Sequence, residues 1–103
     1  MRLGLVLLGP ALGLLPAVEA VRFVDVTDAV GIDFRHVSSS TSQKYLPETM
    51  GSGVALLDYD GDGRLDIFFT NGAALPSLRK ESPAQWNRLF HNEGGSAFRE
   101  VTE

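Results

Sequence analysis

Two patterns of hydrophobic and polar positions divide the chain. Leu3 to Leu15 is almost uninterrupted apolar sequence, with Arg2 before it and Pro16-Ala17-Val18-Glu19-Ala20 after it. From Val21 onward the apolar residues are β-branched or aromatic and come in short runs. Such runs between turn residues predict strands. Val21–Thr27 and Ile32–Val37 are the first two, with Gly31 between them. Ser38–Gln43 is a polar loop, and Leu46–Gly51 is a connector in which Pro47 biases Leu46 toward an extended conformation. Gly53–Tyr59 and Leu65–Asn71 are the next two expected strands. Alternation puts Val54 and Leu56 on one face and Ala55 and Leu57 on the other, all apolar. A strand apolar on both faces is expected to be covered on both sides.

The polar, glycine-rich stretch Asp60–Arg64 joins these two runs, so the pair reads as a hairpin. Residues 73–86 form a connector. Pro76 and Pro83 argue against one continuous helix and leave room for a single turn near Ser77–Lys80. Asn87–His91 and Ala97–Thr102 flank Asn92–Ser96, where Gly94-Gly95 suits the positive φ angles of a tight hairpin turn. The expected fold class is therefore all-β. Phe23-Val-Asp-Val-Thr27 also echoes Phe98-Arg-Glu-Val-Thr102, 75 residues later. That spacing looks like a repeat cut off at its start.

The charged start, short apolar middle and small residues near Ala20 describe a secretory signal peptide over residues 1–20, cleaved after Ala20. Pro10, Pro16 and three glycines argue against a spanning helix, which needs about 20 apolar residues. The expected location is secreted or extracellular (periplasmic in a Gram-negative bacterium), with no stable membrane insertion. Removing Arg2 and Glu19 leaves 8 basic and 12 acidic side chains in residues 21–103, so the net charge stays at −4. That acidity excludes the basic footprint of a nucleic-acid binder. The absence of cysteine excludes a disulfide framework, a thiolate zinc site and a cysteine nucleophile.

The candidate chemistry lies in Asp58-Tyr-Asp-Gly-Asp-Gly-Arg-Leu-Asp66, where carboxylates occupy positions 1, 3, 5 and 9. Ca²⁺ takes about six to eight oxygens at about 2.3–2.6 Å. Alternate positions of a curling loop aim inward, and Gly61 and Gly63 let it curl. Asp58, Asp60, Asp62 and Asp66 are thus candidate side-chain ligands, and the carbonyl of Arg64 at position 7 is a further one. Asp66 is placed to close the cage through one or both oxygens. Two like charges at 4 Å repel by about 4 kcal/mol at an effective dielectric of 20, so gathered carboxylates favour a counter-ion. Mg²⁺ fits less well, since it prefers octahedral geometry and keeps several waters. Zinc is disfavoured by the lack of Cys and of a His near in sequence. An EF-hand is excluded, because its closing Glu at position 12 would be Phe69 and its flanks would be helices.

The segment Met50–Gly72 with this loop resembles an FG-GAP/VCBS repeat, the calcium-loop blade of integrin-α-type β-propellers. Phe23–Thr27 with Gly31-Ile32, Tyr45-Leu-Pro-Glu48 and Asn87-Arg-Leu-Phe-His-Asn92 make the wider pattern similar to secreted proteins of the cartilage acidic protein (ASPIC/UnbV) family. The resemblance implies that residues 21–103 are an incomplete propeller segment, about one blade and the start of another. It implies Asp58, Asp60, Asp62 and Asp66 as side-chain Ca²⁺ ligands and Arg64 as carbonyl ligand. The expected role is structural Ca²⁺ binding in adhesion or in protein or glycan interaction, not catalysis, with downstream blades as the first partner. The alternative is an accessory propeller of a larger secreted enzyme. His36 and His91, the only histidines, are expected at the surface or rim. Ser38–Ser40 read as solvated loop, Trp86 as core or connector packing, and no Asn-x-Ser/Thr acceptor is present.

Overall fold

The computed structural model describes residues 18–103. The expected signal peptide falls almost wholly outside them. Among the described residues no helix is long and apolar enough to cross a membrane.

The chain is all-β. Four strands, β1 (Val54–Leu57), β2 (Asp66–Phe69), β3 (Arg88–Gly94) and β4 (Ala97–Glu100), pair antiparallel in the order β1-β2-β3-β4. The two expected hairpins are thus present; β1, β2 and β4 are shorter than expected, whereas β3 runs on to Gly94, three residues beyond the expected His91. Leu56, Ile67, Phe90 and Glu100 stand in one row across the sheet, and Ala55, Phe68 and Leu89 in the next. Residues paired across strands share a face. Val54, Leu56, Ile67, Phe69 and Phe90 therefore lie on one side. Ala55, Leu57, Asp66, Phe68, Leu89 and His91 lie on the other.

The last hairpin turns through Gly94 (φ 82°), Gly95 (60°) and Ser96 (66°), with a bulge between Asn92 and Gly94. Two short 3-10 turns, Leu46–Thr49 and Pro83–Gln85, are the only helical elements among the described residues. The 73–86 connector turns between Ala74 and Arg79, which form an isolated bridge, one or two residues before the expected position.

The runs 21–27 and 32–37 form no strands. Their composition suits a pleated surface, but a strand exists only where a ladder partner lies alongside, and among the described residues none does. Thr27 instead turns back on Asp25, whose Oδ1 accepts both its N–H (3.0 Å) and its hydroxyl (2.6 Å). Val30 and Ile32 donate to Val26 and Thr27 carbonyls, closing a compact turn. The second run is held from the side. Phe34 stacks on Phe69 at 4.4 Å, and the Val37 N–H reaches Asn71 Oδ1 at 2.8 Å. Asn71 also donates to the carbonyls of Arg35, Ala84 and Trp86, tying the 32–37 and 83–86 segments to the end of β2.

Cover is one-sided. Phe90, at 1% exposed, is the only buried apolar residue among those described, with Phe69 edge-on to it at 5.8 Å. β1 is exposed along its whole length instead of covered on both faces, with Val54 65% and Leu56 64% exposed. Phe23, at 96%, is almost entirely in solvent. Trp86 is not core: it is about half exposed, with the Arg88 guanidinium 6.0 Å from its ring.

Candidate metal centre

The acidic loop spans the gap between the end of β1 and the start of β2. Strand pairing fixes both of its ends, since Leu57 sits opposite Asp66. Asp58 organises the curl. Its Oδ1 accepts the N–H groups of Gly61 (2.9 Å) and Asp62 (3.1 Å), and its Oδ2 accepts that of Gly63 (2.8 Å). Led by the Gly63 bond, these donors hold the Asp58 carboxyl below the ordinary aspartate value. Gly61 and Gly63 take φ values of 77° and 85°, which a residue with a Cβ adopts only with strain. Asp62 Oδ1 accepts the Arg64 N–H at 2.8 Å.

Carboxylate oxygens of Asp58, Asp60 and Asp62 lie within 4.8 Å of one another. Oxygens sharing one Ca²⁺ at about 2.3–2.6 Å are at most about 5 Å apart, so these three fit one ion. Asp66 joins the cluster through Asp60 and not directly through all three. It is fully buried, and both its oxygens are engaged. Oδ1 accepts the Asn92 N–H (2.7 Å) and contacts His91 Nδ1 (3.0 Å), while Oδ2 accepts the Tyr59 N–H (3.1 Å). Burial pushes its pKa up, but the Asn92 and Tyr59 donors and His91 outweigh that and hold it below the ordinary value. Closure through both Asp66 oxygens, anticipated from sequence, would compete with three existing contacts. Arg64 enters through its side chain: its guanidinium pairs with Asp62 Oδ2 at 3.0 Å and donates to the Asn92 carbonyl at 2.9 Å.

His91 corrects the sequence reading. It is not at the surface or rim but 8% exposed, inside the acidic site. Its Nδ1 is also 3.6 Å from Asp60 Oδ2, and its Nε2 is 3.6 Å from Asp62 Oδ2. Tyr59 packs edge-on against the ring at 5.7 Å. An ionised Asp66 accepts only, so Nδ1 carries the proton in this contact. Strand parity was the available signal, since Asp66 and His91 share a face once β2 and β3 are in register. Their separation of 25 residues hid it. His36 is exposed and outside the cluster.

No family model, curated protein or solved structure matches the chain.

Proposed function

We propose that residues 21–103 are a secreted, calcium-binding segment of a β-propeller of the FG-GAP/VCBS type, non-catalytic, serving adhesion or protein or glycan interaction. The observation that carries this reading is the convergence of Asp58, Asp60 and Asp62 on a glycine-curled loop whose ends are pinned by an antiparallel strand pair. An ion there neutralises like charges and ties the loop to the sheet, which is a structural role. The bare length of β1 and the thin core agree with a sheet that completes its packing against neighbouring blades. The ASPIC/UnbV resemblance supplies the narrower family and the extracellular setting.

The test is titration calorimetry with Ca²⁺. The expected dissociation constant is about 10⁻⁴–10⁻³ M, the range of extracellular modules. The double substitution Asp60→Ala/Asp62→Ala abolishes binding. Unchanged binding in that variant would remove the ligand assignment. For the setting, a reporter fused after Val21 is expected outside the cytoplasm with its N-terminus near Val21. Residues 1–20 kept in a membrane fraction would overturn this.

A further inference from the structure

We propose that Asn71-Gly72 is a latent deamidation site, gated by the junction that Asn71 ties together, and that its conversion to aspartate or isoaspartate holds the 32–37 segment off the sheet. It is the only Asn-Gly pair in the chain. An asparagine amide is attacked by the backbone nitrogen of the next residue, and glycine leaves that approach open because it has no Cβ. The Gly72 nitrogen bonds to Asn71 Cγ, and the Cγ–Nδ2 bond breaks. Ammonia leaves with the Gly72 amide proton, and a cyclic succinimide remains. Solvent water then opens the ring. Its addition at Cγ gives aspartate, and its addition at the backbone carbonyl carbon gives isoaspartate.

In the folded junction every polar group that this step needs is engaged. The Gly72 N–H points at Asn71 Oδ1 (2.9 Å), and the Val37 N–H holds the same oxygen at 2.8 Å. Attack would need that Gly72 nitrogen free and over the face of Cγ. The leaving group Nδ2 donates to the carbonyls of Ala84 (2.9 Å), Arg35 (3.2 Å) and Trp86 (3.3 Å). The main chain is clamped as well. Lys80 Nζ donates to the carbonyls of Asn71 (2.6 Å) and Gly72 (2.7 Å), and the Asn71 N–H goes to Asn87 Oδ1 at 2.8 Å. Ring closure must turn the Asn71 side chain and free the Gly72 N–H, so it proceeds from a locally opened junction.

The product does not fit back. A carboxylate accepts only, so aspartate at 71 turns an oxygen toward the carbonyls that Nδ2 had served. Isoaspartate adds a methylene to the main chain beside Gly72, where even an added Cβ would lie 2.0 Å from the Val37 carbonyl oxygen. Both changes fall on the contacts that hold 32–37. The fold nevertheless fixes this labile pair. Gly72 is required by the close approach of Val37, and Asn71 by the need for an acceptor and two donors on one short side chain.

The experiment incubates the full chain at neutral pH with and without denaturing urea and locates aspartate and isoaspartate by peptide mass mapping. Asn87-Arg88 and Asn92-Glu93 are internal controls, since a side chain follows each asparagine. In urea, Asn71 is expected to convert faster than either control. In buffer its conversion should be at least about ten-fold slower than in urea. Lys80→Ala removes two clamping bonds without touching the pair, and should speed the reaction in buffer about five-fold. After transfer from urea to buffer, the modified chain should exchange its Val37 amide faster than the unmodified one. Asn71→Asp, which supplies one product directly, should do the same. Equal rates in buffer and urea, or no acceleration in Lys80→Ala, would overturn the gating. A modified chain and an Asn71→Asp chain that both protect Val37 as well as wild type would overturn the claim that the product holds 32–37 off the sheet.

Discussion

Replacing Val54 and Leu56 by lysine tests whether the β1 edge of this sheet stays uncovered until something packs on it. Both side chains sit on the edge strand β1 and are 65% and 64% exposed. Full burial of a Val or Leu is worth about 1.5–3 kcal/mol. The two-thirds still in water thus represents about 1–2 kcal/mol for each side chain, or about 2–4 kcal/mol for the pair. That free energy is available to any apolar surface that covers β1, including another copy of the same edge. In residues 21–103 alone the double lysine variant should cost within about 0.5 kcal/mol per site, because exposed substitutions usually do. It should also abolish self-association. The assay is light scattering after size exclusion, with urea unfolding followed by circular dichroism. Wild type is expected to self-associate in a concentration-dependent way, and the variant to run as a monomer. A Val54→Glu/Leu56→Glu variant separates loss of apolar surface from change of net charge, since both pairs should be monomeric. The reasoning fails if wild type is a monomer with a sharp reversible transition. It fails equally if the lysine pair loses several kcal/mol, which would mean that β1 is already packed in the isolated chain.

Asn71→Ala removes two accepted hydrogen bonds and the two amide N–H donors shared among three carbonyls, where the 32–37 and 83–86 segments meet the end of β2, each bond worth about 0.5–1.5 kcal/mol net. It should destabilise by about 2–3 kcal/mol and speed amide exchange first at Val37 and Gly72, whose N–H groups it satisfies. Gly72→Ala places a Cβ 2.0 Å from the Val37 carbonyl oxygen, a backbone atom that cannot give way cheaply. Loss of the 32–37 cover from the sheet is expected, seen as exposure of Phe34 and Phe69 to a hydrophobic dye. In calcium-free buffer, Asp58 and Asp66 carry depressed pKa values, so their stabilisation is full above the ordinary aspartate range. It fades as pH falls through their lower folded values. Acid unfolding should therefore begin below about pH 4, and Asp58→Asn should flatten the pH dependence. An unchanged slope would count against the loop bonds.

Local sequence determined the strands that pair with a neighbour in the chain. Val54–Leu57 and Asp66–Phe69 are joined by a loop whose acids and glycines announce the turn. Arg88–Gly94 and Ala97–Glu100 are joined through Gly94-Gly95. Periodicity also fixed which side chains share a face within each strand, because the pleat repeats every two residues. The spacing of Asp58, Asp60 and Asp62 likewise made their convergence legible, since the glycines between them leave few other ways for the loop to close. Composition alone misjudged 21–27 and 32–37. β-branched and aromatic residues favour a pleated surface, but only a partner strand supplies the ladder, and that partner is a matter of tertiary placement. The same limit hid His91. Nothing within its own run separates it from a rim histidine. It entered the acidic site because Phe90 pairs with Ile67, which sets Asp66 and His91 side by side on one face. Register between strands more than twenty residues apart is decided by which apolar side chains meet across the sheet, and a one-residue slip would have turned His91 away from Asp66.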